Sequence, residues 1–253
     1  MTIRQLYEIL NTTVPTALSC EWDNDGLMCC PDGEREVYRV LVTLDVTADA
    51  VRAAIEQNCD LILSHHPLIF KGLRAIDGED PVSAKVLTLI AHNIAVASFH
   101  TRLDAVKGGV NDVLATALGL RDVIPFGEEG IGRIGTLPEE TTAERFAQKV
   151  KETLHAPSVL LSDAGTPVRR VAVLGGNGSD DLGAAKAAGA DTYVSGELKY
   201  HQLTDAPEEG LNLIEAGHFH TEFPVCEALK AMLLSLDPTL EITIYNSYKI
   251  KHI

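Results

Sequence analysis

The stretch YRVLVTLDVTADAVRAAIEQNCDLILSHHPLIF, residues 38–70, carries the pattern that decides the fold. Its first nine residues form an apolar run rich in β-branched side chains, residues 47–58 are alanine-rich with helical spacing, and DLILS at 60–64 is a second apolar run. Neither run alternates apolar with polar residues, so both predict strands that are buried on two faces. The stretch therefore predicts a parallel β-α-β unit in which Thr47 caps the start of the helix.

The same alternation of strand and helix recurs along the rest of the chain. Further strands are predicted at 94–99, 168–176, 191–196, 211–217 and 240–246, and further helices at 81–93, 109–120, 180–189 and 221–236, the last with Thr221 as its N-cap. Arg39 precedes Asp60 by the same 21 positions that separate Arg170 from Asp191. The equal intervals predict an α/β protein of two similar lobes, 1–125 and 126–253, with largely parallel sheets flanked by helices. Duplication explains the similarity, and chance matching of alanine-rich β-α-β units is the alternative.

Composition narrows the class of protein. The 253 residues are 45% hydrophobic, which is enough to bury a sizeable core. Acidic residues outnumber basic ones by 36 to 21, which gives a formal charge of −15. A charge of this sign argues against binding to the phosphate backbone of nucleic acid as the main function. No run approaches the ~18 apolar residues of a membrane span, and the first residues show no signal-peptide pattern. These features predict a cytoplasmic protein without a membrane partner.

The cysteines predict no redox or structural zinc site. All five lack a CxxC spacing, and their number is odd. The adjacent pair Cys29 and Cys30 suggests redox chemistry, but reduced cytosolic thiols are the simpler interpretation. A glycine-rich segment at 173–181 likewise matches neither a P-loop nor a GxGxxG motif, and we expect a tight turn into a helix there.

Polar clusters follow three of the predicted strands. His65 and His66 come after 60–64, HTRLD (100–104) after 94–99, and HFHTE (218–222) after 211–217. Open α/β sheets bind their ligands beyond the carboxyl ends of the strands. We therefore expect the three clusters to meet in one cleft between the two lobes.

The histidine pair is followed by Pro67, which has no N–H to continue a ladder and biases His66 toward an extended backbone. The two imidazoles are then expected to fan apart over the strand end, which suits one ion each better than one ion shared. A pair of cations also requires carboxylates. The predicted metal ligands are His65, His66, Asp104, His218 and Glu222. Histidines satisfied by ordinary hydrogen bonds at strand ends are the alternative.

Imidazole and carboxylate ligands without thiolate suit Zn, Mn, Fe, Ni or Co. Five protein ligands around two ions leave coordination positions open, as hydrolytic sites require in order to lower the pKa of a water molecule and to bind substrate. His100 and Glu197 are the candidate catalytic residues, as proton carriers beside the ligands. A plain structural role is the alternative for each.

Five motifs together resemble one known family. They are WDNDGL (22–27), SHHPLIF (64–70), HTRLD (100–104), SGELKYH (195–201) and AGHFHTE (216–222). The chain resembles the GTP cyclohydrolase I type 2 homologues, which are also described as dinuclear-metal hexameric proteins. The resemblance implies a toroidal homohexamer with two divalent ions per subunit facing an internal cavity, and it implies the same five ligands. Some members carry an extra domain between the lobes. Here only GEEGIGRIGTLPEE (127–140) and one helix-like segment separate them, so we expect that domain to be absent.

Two functions follow as hypotheses. The first is a metal-dependent hydrolase of a small molecule, including a nucleotide such as GTP. The second is a non-catalytic metal-binding hexamer that acts as a scaffold or regulator. The sequence leaves open the substrate, the native metal and the carboxylate that bridges the ions.

Overall fold

The computed structural model describes all of residues 1–253 and has eleven strands in two sheets, with helices flanking them. The predicted α/β class is confirmed. The chain divides into two compact units, residues 1–106 with 226–250 and residues 107–225 with 251–253. These units differ from the predicted lobes, because residues 107–125 belong to the second unit and residues 226–250 belong to the first. None of the helices combines the length and the apolar character needed to cross a lipid bilayer.

The elements are numbered in chain order. The strands are β1 (Gly26–Cys29), β2 (Arg39–Thr43), β3 (Leu61–Ser64), β4 (Ala95–Ser98), β5 (Arg121–Phe126), β6 (Gly132–Thr141), β7 (Leu160–Ser162), β8 (Val168–Asn177), β9 (Thr192–Glu197), β10 (Asn212–Glu215) and β11 (Glu241–Ile244). The helices are α1 (Ile3–Thr13), α2 (Ala48–Glu56), α3 (Pro81–Ala91), α4 (Thr101–Ala105), α5 (Val110–Ala117), α6 (Ala143–Thr153), α7 (Leu182–Ala187), α8 (Tyr200–Asp205), α9 (His218–Glu222) and α10 (Val225–Leu236).

The sheet of the first unit has the order β1-β4-β3-β2-β11. All its pairings are parallel except that of the edge strand β1 with β4. Every residue of β3 and of β4 is buried, as the unbroken apolar runs predict for strands covered on both faces. Parallel pairing brings the carboxyl ends of β2, β3 and β4 to one edge of this sheet.

The sheet of the second unit has the order β5-β6-β8-β9-β10-β7 and is mixed. Only β8-β9 and β9-β10 are parallel, whereas β5, β6 and β7 run antiparallel to their neighbours. The prediction of largely parallel sheets therefore holds for the first unit and for the centre of the second. Antiparallel strands need no helical crossover. A pattern of alternating strands and helices therefore did not predict β5 and β6.

The 21-residue interval has a structural cause that is the same in both units. Asp60 accepts hydrogen bonds from the backbone N–H groups of Tyr38 and Arg39, at 2.8 and 2.9 Å. Asp191 accepts the equivalent pair from Arg169 and Arg170, at 2.9 and 2.7 Å. In each case an aspartate just before one parallel strand fixes the start of its neighbour.

The helix starts were predicted with mixed success. Thr47 caps α2, because its hydroxyl accepts from the N–H of Ala50 at 3.1 Å. The prediction that Thr221 caps a helix over 221–236 is wrong. Thr221 lies inside the short helix α9, and Pro224 separates that helix from α10. A proline has no N–H to donate to the carbonyl one turn earlier, so one predicted helix becomes two.

Candidate metal centre

The histidine pair stands where β3 ends. The N–H groups of His65 and His66 continue the ladder with β2, donating to the carbonyls of Thr43 at 3.2 Å and Leu44 at 2.9 Å. Pro67 then ends the ladder, because it has no N–H to donate. The two imidazoles take different partners. His65 Nδ1 lies 2.9 Å from the carbonyl oxygen of Phe99, and His66 Nδ1 lies 2.8 Å from Asp45 Oδ1.

The second cluster of this unit follows β4. His100 is the N-cap of α4, and one helical turn later Asp104 follows on the same side. His65 Nε2 lies 3.7 Å from Asp104 Oδ1, and both side chains are largely buried. One ring nitrogen from each of His65, His66 and His100 lies within 4.8 Å of the other two. This group of imidazoles could hold a metal ion.

The buried carboxylate of Asp23 orients His100. It accepts from His100 Nδ1 at 2.8 Å, from the N–H of Thr101 at 3.1 Å and from the Thr101 hydroxyl at 2.7 Å. Burial disfavours the charged form of Asp23, but the bonds from His100 and Thr101 outweigh it and hold the pKa of this carboxyl well below its usual range. Asp23 is therefore a fixed anion at neutral pH.

In the second unit, the helix α9 follows β10. His218 and Glu222 lie on one face of it, with His218 Nε2 3.1 Å from Glu222 Oε2. The other ring nitrogen, His218 Nδ1, lies 2.9 Å from Oε1 of Glu197, the last residue of β9. Glu197 was predicted as a catalytic residue, and the structure places its carboxylate against His218.

All four histidines therefore share one arrangement. Each bonds through Nδ1 to an oxygen atom, which belongs to Phe99, Asp45, Asp23 or Glu197. A carbonyl or a carboxylate oxygen only accepts, so Nδ1 carries the proton and Nε2 carries the lone pair. Histidines that bind metals are held in this way by carboxylates and carbonyls behind the ring.

Two contacts then bring acceptor atoms together. His65 Nε2 and Asp104 Oδ1 are 3.7 Å apart, and His218 Nε2 and Glu222 Oε2 are 3.1 Å apart. Two lone pairs at such distances need a positive charge beside them, either a proton or a metal ion. Two ligands of one tetrahedral ion, with bonds of roughly 2.1 Å, lie about 3.4 Å apart. The donor set and its spacing fit a divalent metal ion.

Glycines make room for the ligands of α9. A Cβ on Gly176 would overlap the Glu222 carboxylate and would lie 3.2 Å from His218 Nε2. A Cβ on Gly196 would lie 2.7 Å from the Cα of His218 and 2.8 Å from the hydroxyl of Thr221. Gly176 is the next-to-last residue of β8 and Gly196 the next-to-last residue of β9, so the close approach of α9 to the sheet depends on both glycines.

A family model matches this chain over residues 1–251, and its description is DUF34/NIF3, NGG1p interacting factor 3. The chain belongs to the DUF34/NIF3 family. Curated relatives agree with this assignment and with the predicted resemblance. A protein of Clostridium perfringens named GTP cyclohydrolase 1 type 2 homolog is 34% identical, over 89% of this chain and 88% of its own length. One of Nostoc with the same name is 36% identical, over 80% of each chain.

Solved structures share the fold of this DUF34/NIF3 chain. The Staphylococcus aureus protein SA1388 superposes with a TM-score of 0.91 at 28% identity, covering 100% of this chain and 99% of the other. Reduced HcgD from Methanocaldococcus jannaschii gives 0.84 at 29% identity, covering 96% and 97%. These neighbours support the two-sheet architecture on which the histidines are placed.

Sequence reasoning missed two carboxylates of this DUF34/NIF3 site, Asp45 and Asp23. Asp45 lies just after β2, which ends at Thr43, but the predicted strand ran to residue 46 and so enclosed Asp45. Asp23 belongs to WDNDGL, which was singled out as a family motif. It bonds to His100 across 77 positions, a contact that only the fold creates.

Proposed function

We propose that this DUF34/NIF3 protein binds two divalent metal ions per chain and uses them to hydrolyse a small molecule. The proposed ligands are His65, His66, Asp104, His218 and Glu222. The observation that carries the proposal is the shared arrangement of the three ligand histidines, each bonded through Nδ1 to an oxygen acceptor. Ordinary structural histidines need no such uniformity.

Divalent ions in such a site supply a water molecule of lowered pKa and polarise the bond under attack. The chain's own residues orient the ligands and move protons. Asp45 and Glu197 hold the rings of His66 and His218, so Glu197 acts through His218. His100, held by Asp23, is the proton carrier beside His65 and His66. The relatives' name makes a nucleotide such as GTP the first substrate to try.

The first test counts metal. Elemental analysis of the purified, metal-loaded protein is expected to give two divalent ions per chain, chosen among Zn, Mn, Fe, Ni and Co. His66→Ala is expected to lose at least one of them, because the variant has a methyl group where the wild type has a metal-binding imidazole. His92→Ala, which removes an exposed histidine at the end of α3, serves as the control and should keep both. A wild-type count in His66→Ala would contradict the ligand assignment.

The second test concerns activity. The metal-loaded protein is to be screened against GTP, other nucleotides, phosphoesters and amides, before and after complete metal removal. Turnover that disappears with the metal supports the hydrolase. Turnover that survives metal removal, or full metal with no turnover of any substrate, contradicts it, and the latter result favours a non-catalytic metal-binding scaffold or regulator.

The carboxylate behind His66 gives a further prediction. Asp45→Ala is expected to weaken metal binding about 10- to 100-fold, because nothing then fixes the His66 tautomer and ring angle. Asp49→Ala is the matched control, since it removes an equal charge from an exposed site that bonds Arg52 and Lys249 instead of a histidine. Competition with a coloured chelator measures both affinities. Equal affinities for the two variants would rule out the role of Asp45.

The assembly and location are proposed on the same family ground. We expect a homohexamer in the cytoplasm, as the resemblance implies. Helix α3 offers an apolar surface suited to a subunit contact, because Leu87 and Ile90 are exposed while Val86 and Leu89 of the same helix are buried. Size-exclusion chromatography with light scattering measures the molar mass and so the number of chains in the assembly. A stable monomer would contradict the hexamer.

A further inference from the structure

Two exposed aromatic side chains stand beside the imidazoles of the first unit. Trp22, in the loop before β1, is 62% exposed, and Phe70, in the loop after β3, is 47% exposed. Their ring centroids lie 6.1 and 6.0 Å from that of His100. Phe99, in the core of the same unit, is only 1% exposed.

The rings form a corner. The plane of Trp22 makes an angle of 79° with His100 and 72° with Phe70, and the plane of Phe70 makes 89° with His100. Trp22 and Phe70 are 6.2 Å apart. A flat molecule that stacks on one aromatic face therefore meets the second ring nearly at a right angle, which is a favourable aromatic contact. If it stacks on Trp22, its plane is also steeply inclined to the ring of His100.

Both loops are held in place. The side-chain amide of Asn24 donates to the carbonyl of Ile69, which ties the loop of Trp22 to that of Phe70. Asp23, the neighbour of Trp22, bonds His100 and Thr101, and Leu68, two residues before Phe70, is buried. The rings are thus pre-organised relative to His100, which lowers the entropy lost when a ligand binds.

We propose that Trp22 and Phe70 are the substrate-binding platform of this protein, and that they stack a planar heteroaromatic ring beside His100. The inference rests on the proposed function and names its substrate class. Aromatic faces select a ring by its π-surface and tolerate different ring substituents. An aliphatic substrate would gain little from two steeply inclined π-faces, whereas a purine, a pyrimidine or a related heterocycle contacts both.

The test uses the fluorescence of Trp22, the one tryptophan in the chain. The metal-loaded protein is titrated with guanosine, adenosine, cytidine and uridine monophosphates, and with ribose 5-phosphate. At least one nucleotide is expected to quench Trp22 saturably, whereas ribose 5-phosphate, which carries the same phosphate without a ring, is expected to have no effect. Quenching by ribose 5-phosphate, or by no nucleotide, would overturn the inference.

Variants locate the ring. Phe70→Ala is expected to weaken nucleotide binding roughly five- to 100-fold, the range found when a stacking side chain is removed. Trp22→Ala, followed by calorimetry, should show a loss in the same range. Tyr38→Ala removes an equally exposed ring beside the amino end of β2 and should bind as the wild type does. Unchanged binding in Phe70→Ala and Trp22→Ala would overturn the platform.

Metal counts keep this inference separate from the proposed function. Stoichiometric metal without saturable quenching contradicts the platform and leaves the metal centre intact. Saturable nucleotide binding that depends on both rings, in a protein that binds no metal, supports the platform and contradicts the metal-dependent hydrolase.

Discussion

Replacing Arg102 with methionine is expected to destabilise the first unit by about 3–5 kcal/mol. The Arg102 side chain is fully buried, and its Nε donates to Asp25 Oδ2 at 2.8 Å. Its Nη1 donates to Asn11 Oδ1 at 2.7 Å and to the carbonyl of Val14 at 3.1 Å. The guanidinium carbon also lies 4.2 Å from the centre of the Phe99 ring. Methionine fills much of the volume but leaves a buried carboxylate without its cation.

Urea unfolding followed by the fluorescence of Trp22, which lies in the same unit, measures this loss. Arg52→Met is the control, because the exposed pair of Arg52 with Asp49 is worth less than about 1 kcal/mol. The double variant Arg102→Met with Asp25→Leu should recover part of the loss, since it removes the stranded charge as well. Recovery will be incomplete because Asp25 also accepts from the Ser19 hydroxyl and the N–H of His100. A double variant that is no more stable than Arg102→Met would contradict the buried-charge explanation.

Replacing Gly176 with alanine is expected to abolish metal binding by Glu222 at a modest cost in stability. The added methyl group would overlap the Glu222 carboxylate, which is the movable end of a side chain and will turn away. The backbone of Gly176 has φ +66°, a conformation that costs other residues about 1–2 kcal/mol. We therefore expect the metal count to fall while the protein remains folded.

Gly165→Ala separates the two effects. Gly165 has nearly the same backbone, with φ +71°, but an added Cβ there meets nothing within 4 Å. Both variants should lose similar stability in urea, and only Gly176→Ala should lose metal on elemental analysis. Equal metal counts in the two variants would show that Glu222 does not need the space above Gly176.

Much of the central architecture could be predicted because buried parallel strands leave a strong pattern. The apolar runs of β2, β3 and β4 predicted these strands to within a few residues. The equal 21-residue intervals were also visible in the sequence, and the hydrogen bonds of Asp60 and Asp191 explain them. The edge strands β5 and β7 were missed because half-exposed strands lack such runs. Helix α1 was not predicted, although the sequence contains its signals. Thr2 and Gln5 form a capping box, and Ile3, Leu6 and Leu10 form the apolar face of the helix.

The site divides in the same way. The histidines and carboxylates at strand ends follow from one topological rule, so His65, His100 and His218 could be singled out without a structure. The oxygens behind their rings could not, because Asp23 and Phe99 reach them through tertiary contacts. Glu197 shows the limit of such reasoning, which singled it out as a proton carrier beside the ligands and could not tell that its carboxylate bonds to His218.

The pairing of β11 with β2 sets the order in which a newly made chain can complete itself. Arg39 and Glu241, joined across these two strands, lie 202 positions apart. On the ribosome, residues 107–225 emerge as an unbroken block that has all its strands before the final segment is translated. Until then β2, with its buried Val40, Leu41 and Val42, offers an open edge to any neighbouring chain. Before β11 emerges, the unpaired edge of β2 can bind another chain. A chaperone that covers this edge would reduce aggregation during synthesis.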